Sequence, residues 1–469
     1  MNNNRYGKLL KNTIIFSVGS SGSKLLNFLI VPLYTFYLST AEYGRIDLFT
    51  TTLSLMLPFT TLLIQESLIR FMFSKEIVAV KAVSNAFVVF IIGSIFTVAC
   101  YPLYIFVFNF SDYVWLYILV LIISSYNAIY GQFLRANNQA IAFSISGIIT
   151  TLVLVCGNLF FLIYVKSGMD GYIYSILISQ TITAFYITFI GRIFKNICFR
   201  EIDKSTIKLM LLYSIPLIPN NLMWWIMNAG DKYIINFYLG DGANGIYSLA
   251  MKLPTILNIA FTIFMQAWQL SAIEEMDSYD KSEFYDKVFN MITGLLMIGT
   301  TFIVMSSKWI FSTIVGTEYL ITWKYVPFLC IANLINCMST FAGMVYVINK
   351  KSIAAFYTTF IGAIANICFN FILIQRLGLF GVAIGTIIGY IFVFAIRYRD
   401  AKKDLCMSFS MVKTISALIF ILLQSILSLL LSGSIKVIVM IICACVVIFL
   451  YRDNILDVVG WIKKRVGKK

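Results

Sequence analysis

Apolar runs of about 20 residues follow one another from Lys11 to Tyr451, the length a helix needs to cross the hydrocarbon core of a bilayer. We read fourteen spans, near 12–38, 46–69, 82–109, 113–134, 141–165, 171–191, 209–238, 245–273, 287–306, 322–348, 353–375, 380–396, 411–431 and 434–451. None of the loops between them is long enough to fold as a domain. Inside several spans, polar residues recur three and four positions apart and so share one helix face. Span 1 carries Thr13, Ser17, Ser20, Lys24 and Asn27, and span 2 carries Asp47, Thr51, Ser54, Thr61 and Gln65. Span 7 carries Asn220, Trp224, Asn228 and Asp231, and span 8 carries Ser248, Lys252, Thr255, Thr262 and Gln266. The pattern predicts an all-α integral membrane protein.

The stripes of spans 2 and 8 coincide at an offset of 201 residues. At the same offset Phe36-Tyr37-Leu38 with Gly44 recurs as Phe237-Tyr238-Leu239 with Gly245. Spans 1–6 end in the basic loop Arg192–Lys208 and spans 7–12 in the basic loop Arg397–Lys413, giving two six-helix lobes in a parallel, pseudo-twofold repeat. Asn158 before Gly168-x-x-Gly171 and Asn370 before Gly378-x-x-Gly381 continue the correspondence, with a two-residue difference in length. The expected organisation is an N-lobe over 1–200 and a C-lobe over 201–405. Two extra spans follow over 406–451, then a basic amphipathic tail over 452–469 that lies on the cytoplasmic leaflet. In duplicated bundles of this kind substrates bind between the halves, near mid-membrane. The Gly381, Gly385 and Gly389 series reads as close helix packing.

Composition agrees, with 60% hydrophobic and 12% charged residues. Fourteen crossings put both termini on one side, which receives 27 of the 36 Lys and Arg residues. The other side receives six: Arg45, Lys166, Lys308, Lys324, Arg376 and Lys436. That bias makes the terminal side cytoplasmic. The net charge of +15 therefore reflects topology and anionic lipid headgroups rather than nucleic acid. Residues 274–286, with six acids and one lysine, read as a solvated loop. The first span is too long for a signal-peptide core. Nine scattered cysteines make no disulfide framework, and Cys443-x-Cys445 lacks any histidine to complete a metal site.

A lysine at mid-bilayer costs about 2.5–3.5 kcal/mol on insertion scales and so faces a cavity or a partner. Lys24 and Lys252 are the candidates to hold an anionic group, with Asn27, Asp47, Asn220, Asn228, Asp231 and Lys232 as polar or ion-pairing neighbours. The structural alternative is that Lys252 or Lys232 neutralises Asp231 and the lysines pin helices together. Lys232 reads as snorkelling to the outer interface. Arg45 and Asp47 form either an outer gate or an interfacial anchor, and Glu66 with Arg70 a helix pair. Pro32, Pro58, Pro216, Pro219 and Pro254 permit bending within spans. There is no phosphate-cradling Walker loop and no histidine base, so the chain reads as no enzyme and as needing no cofactor. Its driving force is then an H+ or Na+ gradient, the membrane potential, or consumption of product.

The opening NTIIFSVGSSGSKLLNFLIVPLYTFYLSTAEYGRIDL resembles the polysaccharide-biosynthesis flippases of the multidrug/oligosaccharidyl-lipid/polysaccharide exporter superfamily. So do ESLIRF at 66–71, FLRANNQ at 133–139 and NNLMWWIMNAGDKYIINFYLGDGANGIYSLAMKLPTIL at 220–257. The resemblance covers roughly residues 10–400. It implies a substrate of oligosaccharide repeat units on undecaprenyl diphosphate, carried from the cytoplasmic to the outer leaflet of a bacterial cytoplasmic membrane. Membrane lipids, a polysaccharide polymerase and glycosyltransferases are the partners it implies. Lys24 and Lys252 match best the cavity cations that receive the diphosphate in the family, with Arg70 and Arg135 at the cytoplasmic mouth. Spans 13 and 14 resemble those of the lipid II flippases, where they line a groove for the lipid tail. The chain departs from the family in having less arginine in its spans, and lysine lacks arginine's bidentate fork.

The rival reading is an ion-coupled drug or metabolite antiporter of the same superfamily, which needs unpaired acids inside its lobes. Asp231, Asp47 and Glu66 are the available acids, and each has a cationic neighbour. A net-positive interior attracts anions and repels organic cations, which favours the flippase.

Overall fold

Hydrocarbon offers backbone groups no hydrogen-bond partner, so spanning segments satisfy them internally as helices. The regular elements among the described residues are accordingly all helical, twenty of them α-helices. The computed structural model describes residues 30–454 apart from 75, 107, 109, 110, 275–280, 350 and 406–410. Most of the expected cytoplasmic tail and six residues of the acidic loop fall outside these. The chain divides into two units, Met1–Trp225 and Ile226–Lys469.

The N-terminal unit contains α1 (Val31–Tyr37), α2 (Thr40–Thr61), α3 (Ile64–Phe73), α4 (Ala79–Ala99), α5 (Tyr101–Phe106), α6 (Val114–Ala136), α7 (Ala140–Asn158), α8 (Gly168–Gly191), α9 (Ile193–Asn196) and α10 (Lys204–Ser214). The chain passes into the C-terminal unit within α11 (Ile218–Ala229). That unit contains α12 (Asp231–Ala250), α13 (Lys252–Glu274), α14 (Lys281–Ile314), α15 (Val326–Ala342), α16 (Met344–Ile348), α17 (Ser352–Leu377), α18 (Leu379–Leu405), α19 (Met411–Leu430) and α20 (Gly433–Leu450).

Eleven helical stretches among the described residues are long and apolar enough to cross a membrane, or up to twelve if the bent pair α2–α3 is one span. The fourteen read from sequence are thus not reproduced as a count. The first span lies largely outside the described residues, and over Lys204–Gln266 the helices α10 to α13 follow one another with only short breaks. Laid end to end at 1.5 Å per residue, this stretch of 63 residues would come to about 95 Å, some three bilayer cores. Gly240, at φ 81° and ψ 178°, breaks it. Only glycine adopts that backbone without strain. The equivalent position 201 residues earlier is Ser39, extended at φ −68° and ψ 161°, where α1 gives way to α2. Ser39 caps α2 through a reciprocal box, its hydroxyl accepting from the Glu42 N–H (3.2 Å) and its N–H donating to the Glu42 carboxylate (2.9 Å).

Two expected boundaries need correction. Span 2 was expected to run unbroken over 46–69, but α2 and α3 meet at 56°. Leu62 and Leu63 there are left-handed, at φ 48° and 51°. Pro58, one turn earlier, has no N–H to contribute to the ladder. The Thr61 hydroxyl accepts the N–H of Leu63 (3.2 Å), satisfying a donor that the bend strands. The second correction concerns Arg397, expected in a basic loop but lying inside α18, only 4% exposed. Its guanidinium donates to the hydroxyls of Thr358 (3.1 Å) and Thr359 (2.9 Å) and to the Ser339 carbonyl (3.3 Å), tying α15, α17 and α18 together. A methyl group on Gly343 would fall 2.9 Å from this guanidinium, so the arginine fills the space that glycine leaves.

Close packing of small residues appears where the sequence suggested it. Methyl groups on Gly381, Gly385 and Gly389 would meet the Leu373 carbonyl, Asn370 and Asn366 across the α17–α18 hairpin. In the extra pair α19–α20, the buried Gln424 donates to the carbonyls of Thr301 (3.3 Å) and Met440 (3.4 Å). It also accepts from the Thr301 hydroxyl (2.5 Å), which fastens the pair to α14. Buried Tyr451 occupies the notch at Gly294.

In the N-terminal unit the core under α3, α4 and α6 is built from Ile64, Leu68, Phe71, Val83, Tyr130 and Phe133. The segment from α9 to α10 is stapled onto α4. Asn85 donates to the Glu201 carbonyl (3.0 Å) and accepts the Asp203 N–H (2.9 Å), and Ser84 accepts the Cys198 N–H (2.8 Å). Asp203 caps α10 through Ser205 and Thr206 and pairs with Lys81 at 3.1 Å. Those hydroxyls, then the Lys81 ammonium, hold its carboxyl well below the usual carboxylate range.

A depressed acid stabilises the fold above its unfolded pKa and loses that contribution as pH falls toward the folded value. The staple should therefore be intact at neutral pH, and Asp203→Ala should expose Arg192, Lys195, Arg200 and Lys204 to trypsin. Faster cleavage at these sites is the expected readout; wild-type kinetics would mean that Asp203 does not hold the segment. Arg397→Met should destabilise the protein by about 1–3 kcal/mol, because it removes three hydrogen bonds made by a buried cation. Thermal unfolding in micelles measures this, and an unchanged midpoint would show that the pocket fills with water at no cost.

Candidate functional site

Lys24 and Asn27 lie outside the described residues. Lys252 opens α13, half-buried, with no hydrogen bond or ion pair to a described residue. On the same stripe Ser248 is buried while Thr255 and Gln266 are exposed. The N-terminal stripe behaves differently. Asp47 is half-buried and Ser54 exposed, and the Trp225 indole donates to the Ser54 hydroxyl (3.0 Å) and the Thr51 carbonyl (3.3 Å). Thr61 and Gln65, expected to continue this stripe, are buried and separated by the α2–α3 bend. The continuous stripe is a property of the sequence that the fold interrupts.

The residues expected to share a face, Asn220, Trp224, Asn228 and Asp231, differ in burial. Asn220 is half-buried and Asn228 exposed, but Asp231, past the turn at Gly230, is 2% exposed. Its carboxylate accepts the Tyr247 hydroxyl at 2.7 Å. Lys232 beside it is half-buried.

Asp231 heads a polar chain running through the C-terminal unit. Thr386 is a further polar neighbour of the Tyr247 hydroxyl. The Thr386 hydroxyl donates to the Val382 carbonyl (2.9 Å) and accepts from the Asn366 amide (3.3 Å). Asn370 in turn donates to Asn366 (3.3 Å). Tyr390 flanks the chain, donating to the Met227 carbonyl (3.2 Å) and the Asn228 side chain (3.1 Å). Asn366 and Asn370 are at most 1% exposed, and the Asn370 side-chain oxygen has no hydrogen-bond partner among the described residues. Carboxylate, hydroxyl and amide oxygens are the donor set of a proton site or a small hard cation. No group of three His, Cys, Asp or Glu side chains among the described residues suits a transition metal.

Sequence reasoning missed Tyr247, Asn366, Thr386 and Tyr390. The available signal was Asn366 and Asn370 one turn apart inside an apolar span. In the N-terminal unit Asn158 occupies a related place. It is fully buried, donates to the Tyr34 hydroxyl (2.9 Å) and opens the π-helical turn Leu159–Val165. Eight residues after each asparagine the backbone turns left-handed, at Lys166 (φ 55°) and at Gly378 (φ 56°). The two-residue difference in length therefore falls after that turn.

Arg70 and Arg135 both lie in the last turns of their helices, α3 and α6, and both are exposed. The expected Glu66–Arg70 pair does not form. The Arg70 guanidinium lies 4.4 Å from the Tyr213 ring centre instead, a contact that keeps its charge at the surface.

Residues 9–269 match the model of the family described as polysaccharide biosynthesis protein. Lsg locus putative protein 1 of Haemophilus influenzae is 22% identical over 266 residues, 55% of this chain. The chain covers 65% of that protein's length, just under two thirds. Among solved structures, a multidrug resistance MATE family transporter of the MOP superfamily in its inward-facing conformation superimposes with a TM-score of 0.68 at 13% identity, covering 82% of this chain and 95% of that one. The lipid II flippase MurJ in an inward closed conformation gives 0.66 at 16% identity, covering 94% and 100%. At these identities the likeness establishes the fold alone, that of these multi-pass membrane transporters. With more than half of its length matched by the family model, the chain belongs to the polysaccharide biosynthesis protein family.

Proposed function

We propose that this protein is a flippase. It carries oligosaccharide repeat units on undecaprenyl diphosphate from the cytoplasmic to the outer leaflet of a bacterial cytoplasmic membrane, by alternating access, to supply surface polysaccharide synthesis. The orientation is the one the basic loops favour, with both termini cytoplasmic. The observation that carries the reading is Lys252, a cation within a span that meets no carboxylate or other hydrogen-bonding partner among the described residues. A phosphate is the natural counter-charge for such a lysine. Lys24 is its proposed companion from span 1. The sugars then meet the exposed polar residues of the stripes, such as Ser54, Thr255 and Gln266. The polyprenyl chain stays in lipid beside α19 and α20, and the polymerase and glycosyltransferases act before and after this step.

One observation favours the antiporter alternative, namely the buried carboxylate of Asp231. We assign it instead to energy coupling, with Asp231 and the oxygens of Thr386 and Asn370 taking up H+ or Na+. A carboxylate already held by Tyr247 is poorly placed to receive a bulky organic cation.

Two experiments test these assignments. Cells depleted of the protein should accumulate diphosphate-linked oligosaccharide, seen by mass spectrometry of their polyprenyl lipids. Lys24→Ala and Lys252→Ala should fail to relieve it, with export reduced about 10- to 100-fold. Wild-type export by either variant would remove that lysine from the site, and an unchanged lipid profile would favour the antiporter. In proteoliposomes, Asp231→Asn should abolish the response of transport to an imposed H+ or Na+ gradient. A full response in that variant would locate coupling elsewhere.

A further inference from the structure

Lys308, in the last turns of α14, and Lys436, in the first turn of α20, converge on one indole, that of Trp323 in the 3₁₀ turn Thr317–Lys324. The Lys436 ammonium is 4.6 Å from the ring centre and that of Lys308 5.5 Å. Both are within cation–π range. The two ammonium groups are thus at most about 10 Å apart and repel one another. Lys324 closes the same turn and is exposed. Among the described residues none of the three lysines is in an ion pair with a carboxylate. Lys436 donates to the Ser428 carbonyl at 2.7 Å, across the α19–α20 hairpin, and its ammonium keeps two further donors.

Such a cluster is costly without an anion. It is also unexpected where it lies, since these are three of only six cations assigned to the side that membrane proteins keep poor in Lys and Arg. The ring gives the site its chemistry. An indole half-buried at a span end belongs at the headgroup level, and it holds both ammonium groups beside the bilayer surface. An anion at that depth, next to apolar α19 and α20, is a phosphate carried on a lipid.

We propose that Lys308, Lys436 and Trp323 form a binding site for lipid-borne phosphate at the rim of the corner where α19 and α20 pack on α14. An anionic phospholipid headgroup and the diphosphate of an exported polyprenyl lipid share this chemistry. That the site faces the outer leaflet rests on the orientation proposed above; that it binds phosphate does not.

The test uses the full-length protein and native mass spectrometry. Probes are phosphatidylglycerol, undecaprenyl diphosphate and, as a zwitterionic control, phosphatidylcholine. The double variant Lys308→Gln/Lys436→Gln should lose about 10-fold or more in affinity for the anionic probes and none for phosphatidylcholine. Lys308→Arg/Lys436→Arg should restore binding, which separates lost charge from misfolding. Loss confined to phosphatidylglycerol identifies a headgroup site, and loss confined to undecaprenyl diphosphate identifies a site for exported lipid. Loss of both identifies a site for any lipid phosphate. Undiminished anionic binding in the glutamine pair overturns the proposal, as does equal loss of phosphatidylcholine or failure of the arginine pair to bind. Phosphatidylglycerol binding does not depend on export, so the cellular lipid profile can fail while this site stands.

Discussion

Hydrocarbon cannot solvate a polar group, and most of the unusual local structure here follows from that. Each buried polar side chain has to find its partner on another helix or on its own preceding turn. Serine and threonine residues such as Thr52, Ser84 and Thr386 take the second course, bonding the carbonyl one turn back. Larger polar groups also reach across to distant residues and become the joints of the fold. Arg397 joins α15, α17 and α18, Gln424 joins α19 and α20 to α14, and Asp231 reaches along α12 to Tyr247. Replacing both partners of such a contact by apolar groups need not be fatal, but removing only one is expensive.

The same constraint explains what could be read in advance. Helix existence and the register of the first turn in each repeat follow from apolar length and local chemistry. Thus Ser39 and Gly240 break the chain at equivalent positions. Tertiary satisfaction leaves no local mark. Nothing in the sequence around Leu62 and Leu63 announces left-handed backbone, since neither residue favours it, and the bend reverses the fate of Thr61 and Gln65. Helical spacing placed Asp231 with Asn228, and both lie by Tyr390, but it could not show that the acid is buried against a tyrosine sixteen residues on. Arg397 read as a loop cation because its three partners lie 38 to 58 residues away.

The cations fall into distinct environments, and the difference bears on function. Toward the end of the C-terminal unit that holds Asp404, Lys351 pairs with that acid at 2.7 Å, and Lys413 stacks on Tyr451 while donating to Asn454. In the N-terminal unit Lys81 pairs with Asp203, and Arg70 stacks on Tyr213. These charges are already answered by the protein. Lys252, Lys308 and Lys436 have no carboxylate partner among the described residues, and all three are lysines.

That choice of residue suits a carrier better than a receptor. An arginine meets phosphate with a planar fork that fixes two oxygens at once, whereas an ammonium offers a point charge on a flexible stem. The first holds its ligand in one orientation. The second tolerates a ligand that changes position and protonation partner, and it releases the ligand more readily because little geometry is lost. A transporter that bound a diphosphate as firmly as possible would stall with it, since only affinity that differs between states moves a substrate. The scarcity of arginine within the spans, a departure from what the family resemblance leads one to expect, is therefore compatible with phosphate handling. It shifts the burden of recognition from directional hydrogen bonds to net charge. For the proposed substrate, specificity for sugars then has to come from the polar stripes and not from the cations.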